Sequence, residues 1–464
     1  MILIILPQPA SIEQVNSFTA AILTALRWGV IIFAIPVLIY NTILLIRSPN
    51  SVKSLIDGTR APRYVLIAIL HWKITKNYPA ALTNMTKAIQ REPTNFSIYH
   101  LRGLIHKKME DFPAALVDFN KAIELKPDDA NIYSNRGYAY ATLKDTTAAL
   151  ADFDKALELE PNHANTYYWR GGIYTQLENF PAALADFSKL IELKPKYTDG
   201  YNYRGWVYTK LENFPAALAD YAKAIELQPR AANIYYTRAS TFLEAKNYSA
   251  ALADFSKAIK LQANDSRFYS GRGSTYYSMQ NYPAALVDFT EAIKLQQTDG
   301  NNYCYRGLAY AEMKNFPAAL ADYGKAIELQ PDDSRNYYNR GLAYDRMEDF
   351  PAAVADYTKA IELAPDDGWS YTNRGLIFLK LRDFPAALAD FSKAMKLQPN
   401  DDAPVYDMAC LYALQLQVNE ACSWLRRAIE MSAENIEQAR TDTDFDPIRD
   451  TPEFRALMNE FEKQ

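Results

Sequence analysis

The sequence predicts an all-α solenoid of two-helix repeats, and three observations carry that expectation. Arg-Gly recurs at residues 102, 136, 170, 204, 272, 306, 340 and 374, with Arg-Ala at 238, so every step is 34 residues or a multiple of it. A fixed period of that size marks a stacked repeat array. The stretch after each glycine, such as AALADFSKLIEL (182–193), places apolar residues at i, i+3 or i+4 and i+7, the spacing of one helix face. Glycine is scarce, 16 among 464 residues, which argues against a turn-rich β fold.

Residues 1–61 precede the repeats. Within them WGVIIFAIPVLIYNTILLI (28–46) is nineteen residues without a charge, flanked by Arg27 and Arg47. That length suffices to span a hydrocarbon core, and Trp28 suits the interface. The region before it lacks the basic start of a cleaved signal peptide. Arg27 is the only basic residue on its N-terminal side, whereas Arg47, Lys53, Arg60 and Arg63 follow it. The positive-inside rule then expects a single-pass membrane protein with the repeats on the cytoplasmic side.

The array comes next. Units start at 62, 96, 130, 164, 198, 232, 266, 300, 334, 368 and 402, so the repeats cover 62–435. A tyrosine lies three residues before each arginine, from Tyr99 to Tyr371. Proline opens most second helices, as at Pro181 and Pro215, where its missing N–H is not needed. In unit 130–163 the fixed positions are Tyr133, Gly137, Tyr140, Ala149, Phe153, Ala156 and Pro161. This pattern resembles the tetratricopeptide repeat family. The resemblance implies a right-handed α-solenoid superhelix whose inner surface is lined by the first helix of each unit. No unit can bury its apolar face alone, so stacking supplies the core. The ends depart from the pattern, with Ala68-Ile69 and Met408-Ala409 in place of Arg-Gly. The tail 436–464 is expected to cap the array with a helix from Pro452. Ala239, Ala263 and Gln297 break the pattern inside the array, and either neutral drift or a softer joint near 260–300 accounts for them.

Aligning the units with one another exposes a covariation. An aspartate lies sixteen residues after each of the nine arginines, from Asp118 after Arg102 to Asp390 after Arg374. In the first unit both are lost (Ala68, Asn84), and in the last both are lost again (Met408, Trp424). Paired retention and paired loss predict an Arg–Asp contact between helices. Arg136 in YSNRGYAY (133–140) then reads as structural, and Gly137 as a close approach of two helices.

Several classes of function fall away. Net charge is −5, and 1–61 carry +2 (Arg27, Arg47, Lys53 and Arg60 against Glu13 and Asp57), leaving −7 for the rest. No basic footprint for nucleic acid exists. Cys304, Cys410 and Cys422 form no CxxC pair. The four histidines show no metal-ligand spacing, and WRGGIY (169–174) and GRGSTYY (271–277) read as repeat-register glycines, not phosphate loops. No catalytic, cofactor or metal site is expected, nor a small-molecule substrate. PDD triplets such as 127–129 are expected to cap helices.

Binding remains. The resemblance places the lining residues beside the packed Tyr and Gly of the first helices. These are Asn135, Tyr138, Tyr168, Trp169, Asn202, Tyr203, Trp206, Tyr236, Tyr277, Tyr305, Tyr338, Asn339 and Asn373. Rigid aromatics give contact area at low entropy cost, and amides can bond a peptide backbone. The Lys and Asn clamp with which some family members hold a C-terminal carboxylate is not matched. A membrane-tethered, non-catalytic scaffold that binds a peptide or partner protein is expected. The other reading is a regulatory or sensing subunit of a membrane-associated enzyme complex. For the ion pair, Asp220→Ala is expected to destabilise the fold by roughly 1–4 kcal/mol. A urea-melt loss of only a few tenths refutes a buried pair.

Overall fold

A computed structural model of the chain describes residues 62–461. The predicted membrane segment 28–46 lies outside the described residues. Among those described, no helix is long and apolar enough to cross a membrane. They fold as 24 α-helices without a strand. The chain divides at Leu227/Gln228 into two compact units.

Each repeat is a leading helix and a trailing helix, and unit 164–197 shows why. The leading helix Ala164–Gln176 ends at Leu177, and Glu178 turns left-handed at φ 56°. Asn179 N–H then donates to the Tyr174 carbonyl at 2.8 Å and Glu178 N–H to Thr175 at 3.2 Å, which satisfies carbonyls the helix leaves open. Asn179 also starts the next helix, because its side chain accepts from Ala182 N–H at 3.4 Å. One residue therefore closes the leading helix and caps the trailing helix, Phe180–Leu193. The same left-handed turn recurs every 34 residues, at Lys144, Glu212, Lys246 and onward.

Trailing helices end in one register with or without proline. Lys194, before Pro195, is extended at φ −134°, as the residue before proline must be. Gln262 and Gln296 adopt the same backbone, φ −148° and −143°, before Ala263 and Gln297. Packing sets this end, so the prolines are not what stops these helices. The second aspartates of the PDD triplets do cap helices: Asp129 accepts from Asn131 N–H at 3.0 Å and Asp367 from Trp369 N–H at 3.2 Å.

All nine Arg–Asp pairs form within their units. Arg136 Nε and Nη2 donate to the two Asp152 oxygens at 2.8 and 2.7 Å, and the other eight repeat this fork. The aspartates are buried; the arginines keep about a fifth of their side chains exposed, 20% for Arg136. Arg136 Nη1 reaches back to Asn120 Oδ1 of the preceding unit at 2.7 Å. Arg170 does the same to Asp154 at 2.6 Å, and Arg374 to Thr358 at 2.9 Å. The guanidinium of Arg136 lies 5.5 Å from the Tyr133 ring and 5.8 Å from the Tyr140 ring. Such contacts account for the tyrosine three residues before each arginine and for the Tyr or Phe four residues after eight of the nine.

Gly137 is a close approach: a Cβ there would lie 2.8 Å from the Phe153 ring. Unit 232–265 has Ala239 instead, and the displaced ring finds room elsewhere. A Cβ on Gly271 of the next unit would lie 2.4 Å from Phe255. The two departures compensate one another.

At the C-terminal end, Glu434–Thr441 and Pro452–Phe461 cover the last pair. Phe445, Ile448, Phe454 and Leu457 bury themselves against Tyr406, Ala409 and Leu411. Arg449 donates to the Ala439 and Asp442 carbonyls and holds the connecting turn.

The non-glycine left-handed turns carry strain. Glu178→Gly should stabilise the full chain by about 0.5–1 kcal/mol, the penalty of a side chain at positive φ less the added freedom of the unfolded chain. A lowered urea midpoint would contradict it.

Candidate functional site

All thirteen expected binding residues lie on leading helices. Trp169, Tyr203 and Tyr305 are exposed (39%, 40% and 37%), and the others are half-buried. Asn135 through Trp206 belong to the first compact unit and Tyr236 through Asn373 to the second.

In the first, four of them converge. Tyr138 meets Trp169 edge-on at 4.5 Å, Trp169 meets Tyr168 at 4.7 Å, and Tyr168 meets Tyr203 at 5.5 Å. Tyr203 lies flat on Phe187, 5.7 Å away at 17°. Burial and the Tyr203 hydroxyl push the Tyr168 phenol up, so it stays neutral. These rings surround a cavity of about 350 Å³, completed by Ala141, Thr142, Gly172, Ile173, Thr175 and Gln176. No carboxylate, ammonium or guanidinium lines it. Trp206 packs in the core cluster with Tyr168 and has Lys210 Nζ 5.4 Å from its ring centroid.

In the second, the aromatics are more tied to the core. Tyr305 stacks on Phe289 at 5.8 Å, as Tyr203 does on Phe187. Tyr236 sits against Phe255 and Phe268, Tyr277 against Tyr282, and Tyr338 against Tyr357. Each serves packing with one face, which limits what it offers a ligand.

The asparagines differ from their expected role. Asn135 Nδ2 contacts His100 Nε2 at 3.2 Å and donates to the Asn131 carbonyl at 2.8 Å, while its oxygen accepts from Lys107 at 2.6 Å. Asn373 donates to the Tyr338 hydroxyl and the Trp369 carbonyl, and Asn339 to Cys304 Sγ. These amides bridge adjacent units. Asn202 is half-buried between Tyr201 and Tyr203.

Lys107 was not among the expected residues. Its Nζ lies 4.9 Å from the Tyr138 ring centroid, and burial beside Lys108 holds its pKa down to about 8. Of the two glycines of WRGGIY, only Gly171 is the register glycine that touches a ring, with Phe187 3.0 Å from a Cβ placed there. A Cβ on Gly172 would meet nothing within 4 Å. Likewise Gly273 is the register glycine of GRGSTYY, whereas Gly271 receives Phe255.

A separate cluster lies in the C-terminal cap, where ligand atoms of Cys410, Asp442 and Asp444 fall within 4.8 Å of one another. Among the described residues this set could hold a metal ion. Two of its three side chains already have structural partners: Asp442 accepts from Tyr406 Oη at 2.9 Å, Cys410 Sγ at 3.7 Å and Asp444 N–H at 3.0 Å. Burial pushes the nearby Asp407 carboxyl well up, which favours its neutral form.

Helix pairs in 34-residue register, with an aromatic face on the leading helices, define a helical-repeat scaffold for protein–protein interaction. The chain belongs to the tetratricopeptide repeat family. Tetratricopeptide repeats match at 130–163, 164–197, 198–230, 232–265, 302–333, 335–367 and 368–401, and a TPR repeat at 108–144, together more than half of the chain. No curated protein matches it. Among solved structures, it is similar to a tetratricopeptide repeat protein from Parabacteroides merdae, at 21% identity over 54% of this chain and 98% of that one, with a TM-score of 0.45. Yeast Tom70 is similar at 18% identity over 87% and 99%, with a TM-score of 0.43. YrrB, described as a TPR protein with an unusual peptide-binding site, is similar at 24% over 40% and 95%, with a TM-score of 0.33.

One group on this face makes stability depend on pH. Burial lowers the His100 pKa from 6.5 to about 4, so the folded state favours the neutral imidazole. Its contribution is fully present above about pH 6.5 and is lost as pH falls toward 4. Urea midpoints of the full chain should drop across that window, and His100→Gln should flatten the drop. An identical pH slope in the variant would contradict this.

Proposed function

We propose that the protein is a non-catalytic scaffold that binds an extended peptide or partner segment along its leading-helix groove, tethered to a membrane through residues 28–46 with the repeats on the cytoplasmic side. The observation that carries the binding reading is the open aromatic cavity formed by Tyr138, Tyr168, Trp169 and Tyr203, with the Trp169 and Tyr203 rings exposed beside it. Exposed aromatics held in place by neighbouring rings make contact area available at little entropic cost. The tether rests on the uncharged nineteen residues and their basic C-terminal flank. The scaffold reading is favoured over that of a dedicated regulatory subunit because the cavity is open and lined by rings and small neutral side chains. Should one enzyme co-purify in fixed stoichiometry, the regulatory reading takes its place.

The test is crosslinking and affinity capture from membranes with the full chain and a Trp169→Ala/Tyr203→Ala variant, alongside a reporter fused after Gln464. Membrane-fraction partners that the variant loses, and a cytoplasmic reporter signal, are the expected results. Partners captured equally by the variant overturn the groove; a reporter on the opposite side overturns the topology.

A further inference from the structure

The cavity at Gly172 is more specific than a general binding face. Gly172 lies inside the helix Ala164–Gln176, where a glycine costs about 1 kcal/mol relative to alanine. Nothing in the packing requires that cost, since a Cβ there has open space, unlike at Gly171. The equivalent positions of the units on either side carry Tyr138 and Trp206, both large. The missing side chain keeps this wall of the cavity of about 350 Å³ clear. That volume is at the lower end of small binding pockets, and the cavity is open on one side to solvent.

The walls indicate what enters. The cavity's edges are the rings of Tyr138, Trp169, Tyr203 and Phe187. Its threonine hydroxyls are spent on their own helices: Thr142 Oγ1 donates to the Tyr138 carbonyl at 2.9 Å and Thr175 Oγ1 to the Gly171 carbonyl at 2.8 Å. An aromatic enclosure is also the chemistry that takes an organic cation, but here a cation is already present. The Lys107 ammonium lies 4.9 Å from the Tyr138 ring centroid. It uses that ring's attraction for positive charge and repels a second cation, and no carboxylate lines the cavity to offset it. A neutral apolar group is favoured inside, and a negative charge is favoured just outside on the Lys107 side.

Resting on the groove reading above, we propose that the Gly172 cavity is an anchor pocket for one aromatic side chain of a partner polypeptide, with an acidic residue beside it facing Lys107. The aromatic ring gains edge-to-face contacts with Tyr138 and Trp169, and the carboxylate gains the Lys107 charge. The remaining peptide lies across Trp169 and Tyr203.

The probe is a random peptide library displayed on phage and selected on the full-length protein. Enriched peptides should share an aromatic residue adjacent to Asp or Glu. A synthetic consensus peptide should bind the Gly172→Leu protein at least tenfold more weakly, because the leucine side chain projects into the cavity and obstructs it. Replacing the peptide's acidic residue by its amide should weaken binding several-fold, and this loss should vanish in Lys107→Gln. Gly172→Leu should melt no lower than the parent chain, so lost binding reads as occlusion and not unfolding. A lowered melting temperature, enrichment of basic residues in place of the aromatic, no enrichment at all, or equal binding to Gly172→Leu overturns the proposal. If membrane partners are lost with Trp169→Ala/Tyr203→Ala yet retained with Gly172→Leu, the groove stands and the anchor pocket fails. If both variants retain them, the groove itself fails.

Discussion

The forked Arg–Asp pair is the interaction on which the rest of the array depends. It joins leading to trailing helix through two parallel N–H···O bonds and, through the third guanidinium nitrogen, reaches the preceding unit where a Thr, Asn, Asp or Ser is present. A buried carboxylate is costly unless paired and hydrogen-bonded, so each aspartate makes its arginine obligatory. The arginine is in turn lodged between tyrosine rings, so its rotamer is set by packing. One constraint thereby explains the recurrence of Tyr, Arg and Asp. The two end units lack both partners together, Ala68 with Asn84 and Met408 with Trp424, as a pair that is costly to keep by halves requires.

Because this internal framework is fixed, the neighbouring positions on the leading helix are free to vary. The residue before each arginine is Leu101, Asn135, Trp169, Tyr203, Thr237, Gly271, Tyr305, Asn339 or Asn373. Its uses differ accordingly: an amide bridge to the adjacent unit at 135 and 373, a ring stacked on the preceding Phe at 203 and 305, and a vacancy for a displaced ring at 271. Recognition and packing thus share the same residues. A ring that is stacked on one face and exposed on the other is held for a ligand without losing its structural work. Gly172 stands apart because it packs against nothing.

Much of this was legible in the sequence. The period gave the helix pairs, and comparison of the units gave the ion pairs without any second sequence. Three things were not legible, each for a physical reason. The left-handed turn falls on Glu, Lys, Gln, Arg and Leu, so glycine, its usual sign, is absent. The asparagines looked available because their amides are consumed by partners about 35 positions away, a distance that local pattern does not reveal. Gly171 and Gly172 are chemically identical, and only the position of the Phe187 ring separates the structural glycine from the open one.

The most direct test of the central claim is a double-mutant cycle on Arg136 and Asp152, read by native-state hydrogen exchange of the amides in unit 130–163. Local opening energies avoid assuming that a long repeat array unfolds in one step. If the fork holds the unit together, Arg136→Met and Asp152→Ala should be strongly non-additive, with a coupling of about 1.5 kcal/mol or more. Additivity within about 0.5 kcal/mol would show that the pair merely accompanies the fold and does not secure it.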